Sequence, residues 1–327
     1  MKKFSSEEIK KYFSRILPLG SKTKLLVVSY LCGGNHFNYL LKTNHGKFVM
    51  RVSNPLGLGA GALFDIPDEF TLLKLIEKYK VAPRAEFIDL EGFFAPLLIE
   101  EYIDGIPYNQ LRQISEGHLK GAIELMQKVS RISLDKDVFP FRFSYHTYGT
   151  NIRGWHLRME EIVKLGRNNK TISTSLKLFN EVAGKAAKIL DKNQRVLSAA
   201  KPVFIYNDVH GNNLFWVEKN KKPIFIDWQK VSRGDPAFMA AVFALAFENN
   251  NCFGGRGSFF KWVVESYGGS RNFERLFWLR ILEREVANMI WVVWASLKQG
   301  RKLPFKNIGE YERFNSVKEA LRDFPFA

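Results

Sequence analysis

The sequence of 327 residues predicts an α+β chain in two parts, a small antiparallel sheet of five strands followed by a larger, mostly helical segment. Three observations carry this prediction. Short β-rich runs alternate with turn-forming Gly, Asn and His over the first hundred residues. From "GHLKGAIELMQKVSRI" onward the apolar spacing is helical. One return to β pattern, residues 201 to 228, interrupts that helical stretch.

Each element has its own signal. "SSEEIKKYFSRIL" has a Ser-Ser start, early glutamates, and Ile9, Tyr12, Phe13 and Ile16 at helical spacing, so a capped helix opens the chain. Residues 25 to 31 (LLVVSYL), 37 to 43 (FNYLLKT) and 47 to 52 (KFVMRV) read as strands. The connections "CGGNH" and "NHG" are too short for a parallel crossover, so these strands are antiparallel. "IPDEFTLLKLIEKY" begins a second helix behind a Pro and two acids, and "AEFIDL" and "APLLIEEYI", joined by "EGFF", complete the sheet. Gly and Pro in "IDGIPYN" set the boundary, giving residues 1–103 and 104–327. In the second part, "WHLRMEEIVKLG" and the long run from residue 174 to 200 are helical. "KPVFIYN", "NLFWVE" and "KPIFIDW" are the β interruption, and helices rich in Trp and Phe follow to the end.

Bulk composition narrows the function. Forty-nine Lys and Arg against 33 Asp and Glu give a net charge of +16, which favours anionic company. The tightest basic clusters, "EKNKKP" and "KQGRK", lack interleaved aromatics, so nucleic acid is not an expected partner. Two cysteines are too few for a disulfide framework or a thiolate metal site. The N-terminus lacks an apolar core, and the longest apolar run, Ala237 to Phe247, is too short to span a bilayer, so no membrane association and a cytoplasmic location are expected. Oligomeric state is left open.

The chemistry is concentrated in "FIYNDVHGNNLF", residues 204 to 215. Asp208 and Asn213 are five apart on a connection between two strands, and Asp227 ends the next strand 19 residues after Asp208. Magnesium takes hard oxygen ligands, usually one or two carboxylates with substrate phosphates, so Asn213 and Asp227 suit a nucleotide-bound ion. Asp208 is left as a base. In phosphoryl transfer the protein mainly positions groups and neutralises charge, and an Asp near the acceptor hydroxyl accepts its proton. An Asx-rich turn without chemistry would read the same way in isolation.

D-x-x-x-x-N between short strands, followed by "FIDWQ" and "GDPAF", resembles the aminoglycoside phosphotransferase and choline kinase family, which shares the protein kinase fold. The resemblance covers nearly the whole chain. It implies a two-lobe fold with a five-stranded N-lobe and a helical C-lobe, and an ATP-dependent (or GTP-dependent) kinase requiring Mg2+. The family's H-G-D-x-H-x-x-N segment is matched here by residues 206 to 213, with Asp208 as base, His210 in a structural role and Asn213 on the metal. The metal aspartate is matched by Asp227 in Ile226-Asp227-Trp228, and the G-D-P aspartate by Asp235, an anchor for its loop. Tyr206 and Asn207 replace the usual His and Gly, and Met239 stands where an Asp commonly follows. Those departures motivate an alternative, a catalytically degenerate kinase fold that binds nucleotide or a partner.

The same resemblance implies a nucleotide end. "CGGNHFNY" is similar to the family's short Gly-rich loop, with Gly33 and Gly34 admitting the backbone close to phosphate and Asn38 closing it. Arg51 stands where the family has Lys or Arg, with Glu69 as its carboxylate partner and Asp68 the weaker choice, and the backbone of Glu101, Tyr102 and Ile103 would meet the adenine edge. "GLGAGA", residues 57 to 62, fits a dinucleotide fingerprint, but that needs a parallel βαβ unit with the glycines opening the helix, whereas Phe64 to Asp68 intervene here. The acceptor is a small-molecule alcohol: an aminoglycoside, choline or other amino alcohol, or a sugar. Trp291 and Trp294 with Glu283 and Glu285 would make a box for a cation, although a Trp stripe at helical spacing reads first as core.

Overall fold

The computed structural model describes residues 3–16, 18–32, 36–54, 62–133 and 148–326. The chain divides into two compact units: residues 1–142 with 211–231, and residues 143–210 with 232–327.

In the first unit, helix α1 (Ser6–Ile16) precedes strands β1 (Leu25–Cys32), β2 (His36–Thr43) and β3 (Gly46–Ser53). Helix α2 (Ala62–Ile76) then leads to β4 (Ala85–Asp89) and β5 (Leu97–Glu101). The five strands form one antiparallel sheet in the order β1-β2-β3-β5-β4. Helix α1 places Ile9, Tyr12 and Phe13 on the apolar face formed by Tyr39, Leu41, Met50, Val52, Leu97 and Ile99. Those sheet residues alternate along their strands, as a half-buried strand requires. Helix α2 starts earlier than the sequence pattern suggests and encloses Pro67. The glycines of the dinucleotide-like motif, residues 57–61, lie outside the described residues, and the helix opens at Ala62. What excludes a dinucleotide fold is the sheet, because β3 pairs with β5 antiparallel, not parallel.

The first unit also holds β6 (Ile106–Pro107) and helix α3 (Glu116–Ser130), whose cap is a reciprocal box between Ser115 and His118. In the second unit, helices α4 (Tyr148–Leu165), α5 (Lys170–Lys192) and α6 (Gln194–Ala199) precede β7 (Val203–Tyr206). The chain returns to the first unit as the hairpin of β8 (Leu214–Val217) and β9 (Lys222–Phe225), to which β6 adds a third strand. Strand β10 (Val231–Gly234) pairs with β7, so β7 does not continue into the sheet of β8 and β9. Helices α7 (Pro236–Phe247), α8 (Arg256–Ser266), α9 (Arg271–Lys298) and α10 (Glu312–Asp323) complete the second unit. Helix α7 is apolar on all sides and buried almost throughout, which identifies it as the centre of that core. No described helix is long and apolar enough to cross a membrane.

Candidate functional site

In the first unit the site is built on strand register. Asn38 of β2 lies directly opposite Arg51 of β3, and Arg51 lies opposite Leu98 of β5. Glu100 pairs with Val49, two residues before Arg51, so Arg51 and Glu100 share one face of the sheet. A cavity of about 720 Å³ opens on that face, within the range of small-molecule pockets. Asn38, Arg51, Glu101, Tyr102, Ile103, Asn213 and Asp227 all line it. Gly33 and Gly34 lie outside the described residues.

Arg51 is buried among three carboxylates. Its Nη1 donates to Glu69 Oε1 at 2.9 Å, its Nη2 donates to Asp227 Oδ1 at 3.0 Å, and Glu100 Oε1 is 3.7 Å from Nη1. Burial works against the guanidinium's charge, yet the carboxylates hold its proton more firmly than water would. Burial above all, and neighbouring acids after it, raise Glu69 to about 8 and Glu100 to about 7 against the downward pull of Arg51. Glu69 Oε1 also accepts the Trp228 backbone N–H at 2.8 Å, which ties α2 to the segment carrying Asp227. The sequence does not single out Glu100, because "EE" reads as surface charge. Its signal was the period-two alternation of β5, which turns Glu100 to the face of Arg51.

Asn213 and Asp227 flank the open end of the β8–β9 hairpin, where the Ile226 N–H donates to the Asn213 carbonyl at 2.9 Å. Asn213 is buried, while the Asp227 side chain is 40% exposed. Asp227 adopts a left-handed backbone, φ 59°, a conformation Asp tolerates better than most residues. Gly211 does not supply left-handed freedom to this connection. Its role is close approach, because a Cβ there would sit 2.9 Å from the Asn109 backbone nitrogen, which donates to the Gly211 carbonyl at 3.2 Å.

Two further residues join this site unannounced by the sequence. Gln229 Nε2 donates to Nδ1 of buried His36 at 2.8 Å, and His36 Nε2 is buried without a partner. Burial first, and Arg51's charge second, push the imidazole down to about 4, so it is neutral near pH 7. At the edge of the cavity, the Glu101 N–H donates to the Arg84 carbonyl and the Tyr102 N–H to the Lys47 carbonyl. The Ile103 N–H has no acceptor among the described residues.

Asp208 belongs to the second unit, on the connection that leaves β7. His210 Nε2 lies 3.6 Å from Asp208 Oδ2. Asn207 Nδ2 donates to Ser232 Oγ at 2.9 Å, and that hydroxyl donates back to Asn207 Oδ1 at 3.2 Å. The side chain that departs from the family pattern therefore moors the Asp208 segment to β10. Tyr206 and Met239 are fully buried. Asp235 caps α7, accepting from the Phe238 N–H at 2.9 Å, and its Oδ2 accepts from Arg280 Nε and Nη2 at 2.8 and 2.6 Å. It anchors the turn, as the G-D-P resemblance implied.

The aromatic and acidic box does not form. Glu283 accepts from Arg280 Nη1 at 2.5 Å, deep in the helical core. Trp291 is 43% exposed, with the Arg158 guanidinium 5.5 Å from its ring, and Lys298 stands 4.6 Å from the ring of Trp294. The chain's own cations occupy both indole faces, so the stripe is neither core nor an open cage.

The donors fit a nucleotide and its metal. Arg51 Nε is a buried donor without a partner on the wall of a ligand-sized cavity, and Asn213 and Asp227 offer two hard oxygens beside it. Among the described residues no cluster of three or more His, Cys, Asp or Glu would hold a metal by itself. An ion held by only these two side chains would need phosphate oxygens to complete its shell.

The family model described as "Phosphotransferase enzyme family" matches residues 28–277. Among solved structures, choline kinase LicA from Streptococcus pneumoniae aligns at TM-score 0.64 and 14% identity, covering 97% of this chain and 98% of that one. The ethanolamine kinase of Plasmodium vivax aligns at TM-score 0.61 and 12% identity, over 91% and 81% of the two chains. The ADP-bound aminoglycoside phosphotransferase APH(2'')-Ib aligns at TM-score 0.60 and 17% identity, over 98% and 97%. At these identities the likeness is one of fold, the kinase-like α+β architecture. No curated protein matches the chain in sequence.

Proposed function

The chain belongs to the phosphotransferase enzyme family, and from that premise we propose that it transfers the γ-phosphate of ATP or GTP to a hydroxyl of a small molecule, with Asp208 as base. The observation that carries this reading is Arg51, a buried cation on the wall of a nucleotide-sized cavity that Asn213 and Asp227 share. Arg51, held by Glu69, faces the phosphates with a fork that cannot lose its charge. Ile103 offers its free N–H to the adenine edge. Asn213 and Asp227 would hold Mg2+, which when bound neutralises charge on the phosphate oxygens. Asp208 takes the proton of the acceptor hydroxyl as that oxygen attacks, and the neighbouring His210, 3.6 Å away, has a structural role. In this reading residues 1–103 bind nucleotide and residues 104–327 supply the base and the acceptor site, in a cytoplasmic setting where ATP is plentiful.

The test is Asp208→Asn. Removing the base while keeping its shape should lower acceptor-dependent ADP release by about a thousandfold or more, with nucleotide affinity nearly unchanged. Undiminished turnover would remove Asp208 from the role.

A further inference from the structure

Arg284, on α9 in the second unit, is a half-buried guanidinium with no hydrogen bond and no ion pair within 4 Å among the described residues. Its place follows from the helix repeat. Arg280 is one turn earlier on the same face, and its guanidinium is bound to Asp235, which directly follows β10. Strand β10 pairs with β7, whose end leads into Asp208, and Asn207 bonds Ser232 of β10. The α9 face that carries Arg280 and Arg284 is therefore turned toward the Asp208 segment. Of the carboxylates whose charge reaches Arg284, Asp208 acts most strongly, followed by Glu285 and Glu283, while burial itself and Arg313 oppose its charge.

Neither of those other acids is open to a ligand. Glu283 is bound to Arg280 at 2.5 Å, and Glu285 is fully buried, with Arg256 3.8 Å away. Arg256 also pairs with Glu248 at 3.0 Å and Glu319 at 2.9 Å. A cationic acceptor needs an uncommitted carboxylate near the base. What the helical unit presents near Asp208 is an uncommitted guanidinium, whose planar fork matches a carboxylate or phosphate bidentately. The net charge of +16 works in the same direction.

We propose that the acceptor is a small alcohol that carries an anionic group, a carboxylate or a phosphate, and that Arg284 is the specificity-determining residue that binds it. The inference rests on the phosphotransferase reading and names its acceptor class. It departs from choline and aminoglycosides, which are cations.

The experiment is Mg-dependent ADP release with three sets of alcohols: anionic (hydroxy acids and glycerol phosphates), neutral (sugars and glycerol), and cationic (choline, ethanolamine and aminoglycosides). Wild type is compared with Arg284→Gln, Arg284→Lys and Arg284→Glu. Release should be confined to the anionic set. Arg284→Gln should raise the acceptor KM roughly tenfold or more, with kcat and the nucleotide KM little changed, since a charge-assisted bond away from the reacting oxygen is lost. Arg284→Lys should recover part of that loss, and Arg284→Glu should be the weakest on anionic alcohols. Hydroxy acids and glycerol phosphates, tried separately, identify which anion is read. Release with cationic or neutral alcohols alone, or anionic turnover indifferent to Arg284, overturns this inference and leaves the phosphotransferase reading standing. Release with no alcohol of any set counts against both.

Discussion

Asn38 and Arg51 face each other across the β2–β3 ladder, and both reach the wall of the same cavity. That pairing converts a two-residue hairpin register into a ligand-binding arrangement. A slip of one residue would turn both side chains to the opposite face.

Arg51→Lys keeps the charge and loses the fork. A lysine cannot donate to Glu69 and Asp227 as the guanidinium does, so the buried acids lose part of their compensation. Nucleotide Kd by calorimetry should weaken roughly tenfold, and unfolding in urea should show a loss of about 1–3 kcal/mol. An unchanged Kd would mean that Arg51 is structural and does not touch phosphate.

Gly211→Ala tests close approach as distinct from backbone freedom. The added methyl would meet the Asn109 nitrogen at 2.9 Å and its Cβ at 3.0 Å, so the segment must move. Overpacking of this kind costs about 1–3 kcal/mol, and because Asn213 follows two residues later, turnover should fall as well. A variant with full stability and activity would show that the Asn109 contact is dispensable.

Asp235→Asn separates two roles of one side chain. Asparagine still caps α7, but Arg280 is left buried with Glu283 alone. Breaking a buried pair on one side costs about 3–5 kcal/mol, which chemical denaturation would register directly. A loss below about 1 kcal/mol would show that the cap, and not the ion pair, is what Asp235 contributes.

Much of this arrangement is legible in the sequence, and what is not has identifiable causes. The five strands are announced by β-rich runs with short connections, and local pairing follows the chain. The partner of β7 is not announced, because "VSRG" has little strand character and the pairing is non-local. Glycines and Pro67 hide the start of α2. Trp291 and Trp294 look like core because α9 is apolar on several faces, and only the positions of Arg158 and Lys298 reveal that the indoles face outward. The family's aspartates and asparagine can be matched by spacing alone, whereas Arg284 could not be singled out among 49 basic residues until helix register showed which of its neighbours are already paired.

Glu285 supplies a pH signature. It is fully buried, and neither carboxylate oxygen has a hydrogen-bond partner among the described residues. Burial, with Glu248's charge behind it, pushes its carboxyl up to about 7, against the opposing pull of Arg313, Arg256 and Arg284. In the unfolded chain a glutamate titrates near 4.3. Between these values the folded state holds more protons than the unfolded one, so this group lets stability fall as pH rises from about 4.5 to about 7. The full effect is about 4 kcal/mol at most, reached above pH 7. Glu285→Gln removes the titration and keeps the shape. Against wild type, the variant should match stability near pH 4 and gain about 1–4 kcal/mol at pH 8, read from urea unfolding at both values. Parallel stability curves for the two proteins across that range would show that Glu285 stays ionised in the fold, held by Arg256 and Arg313.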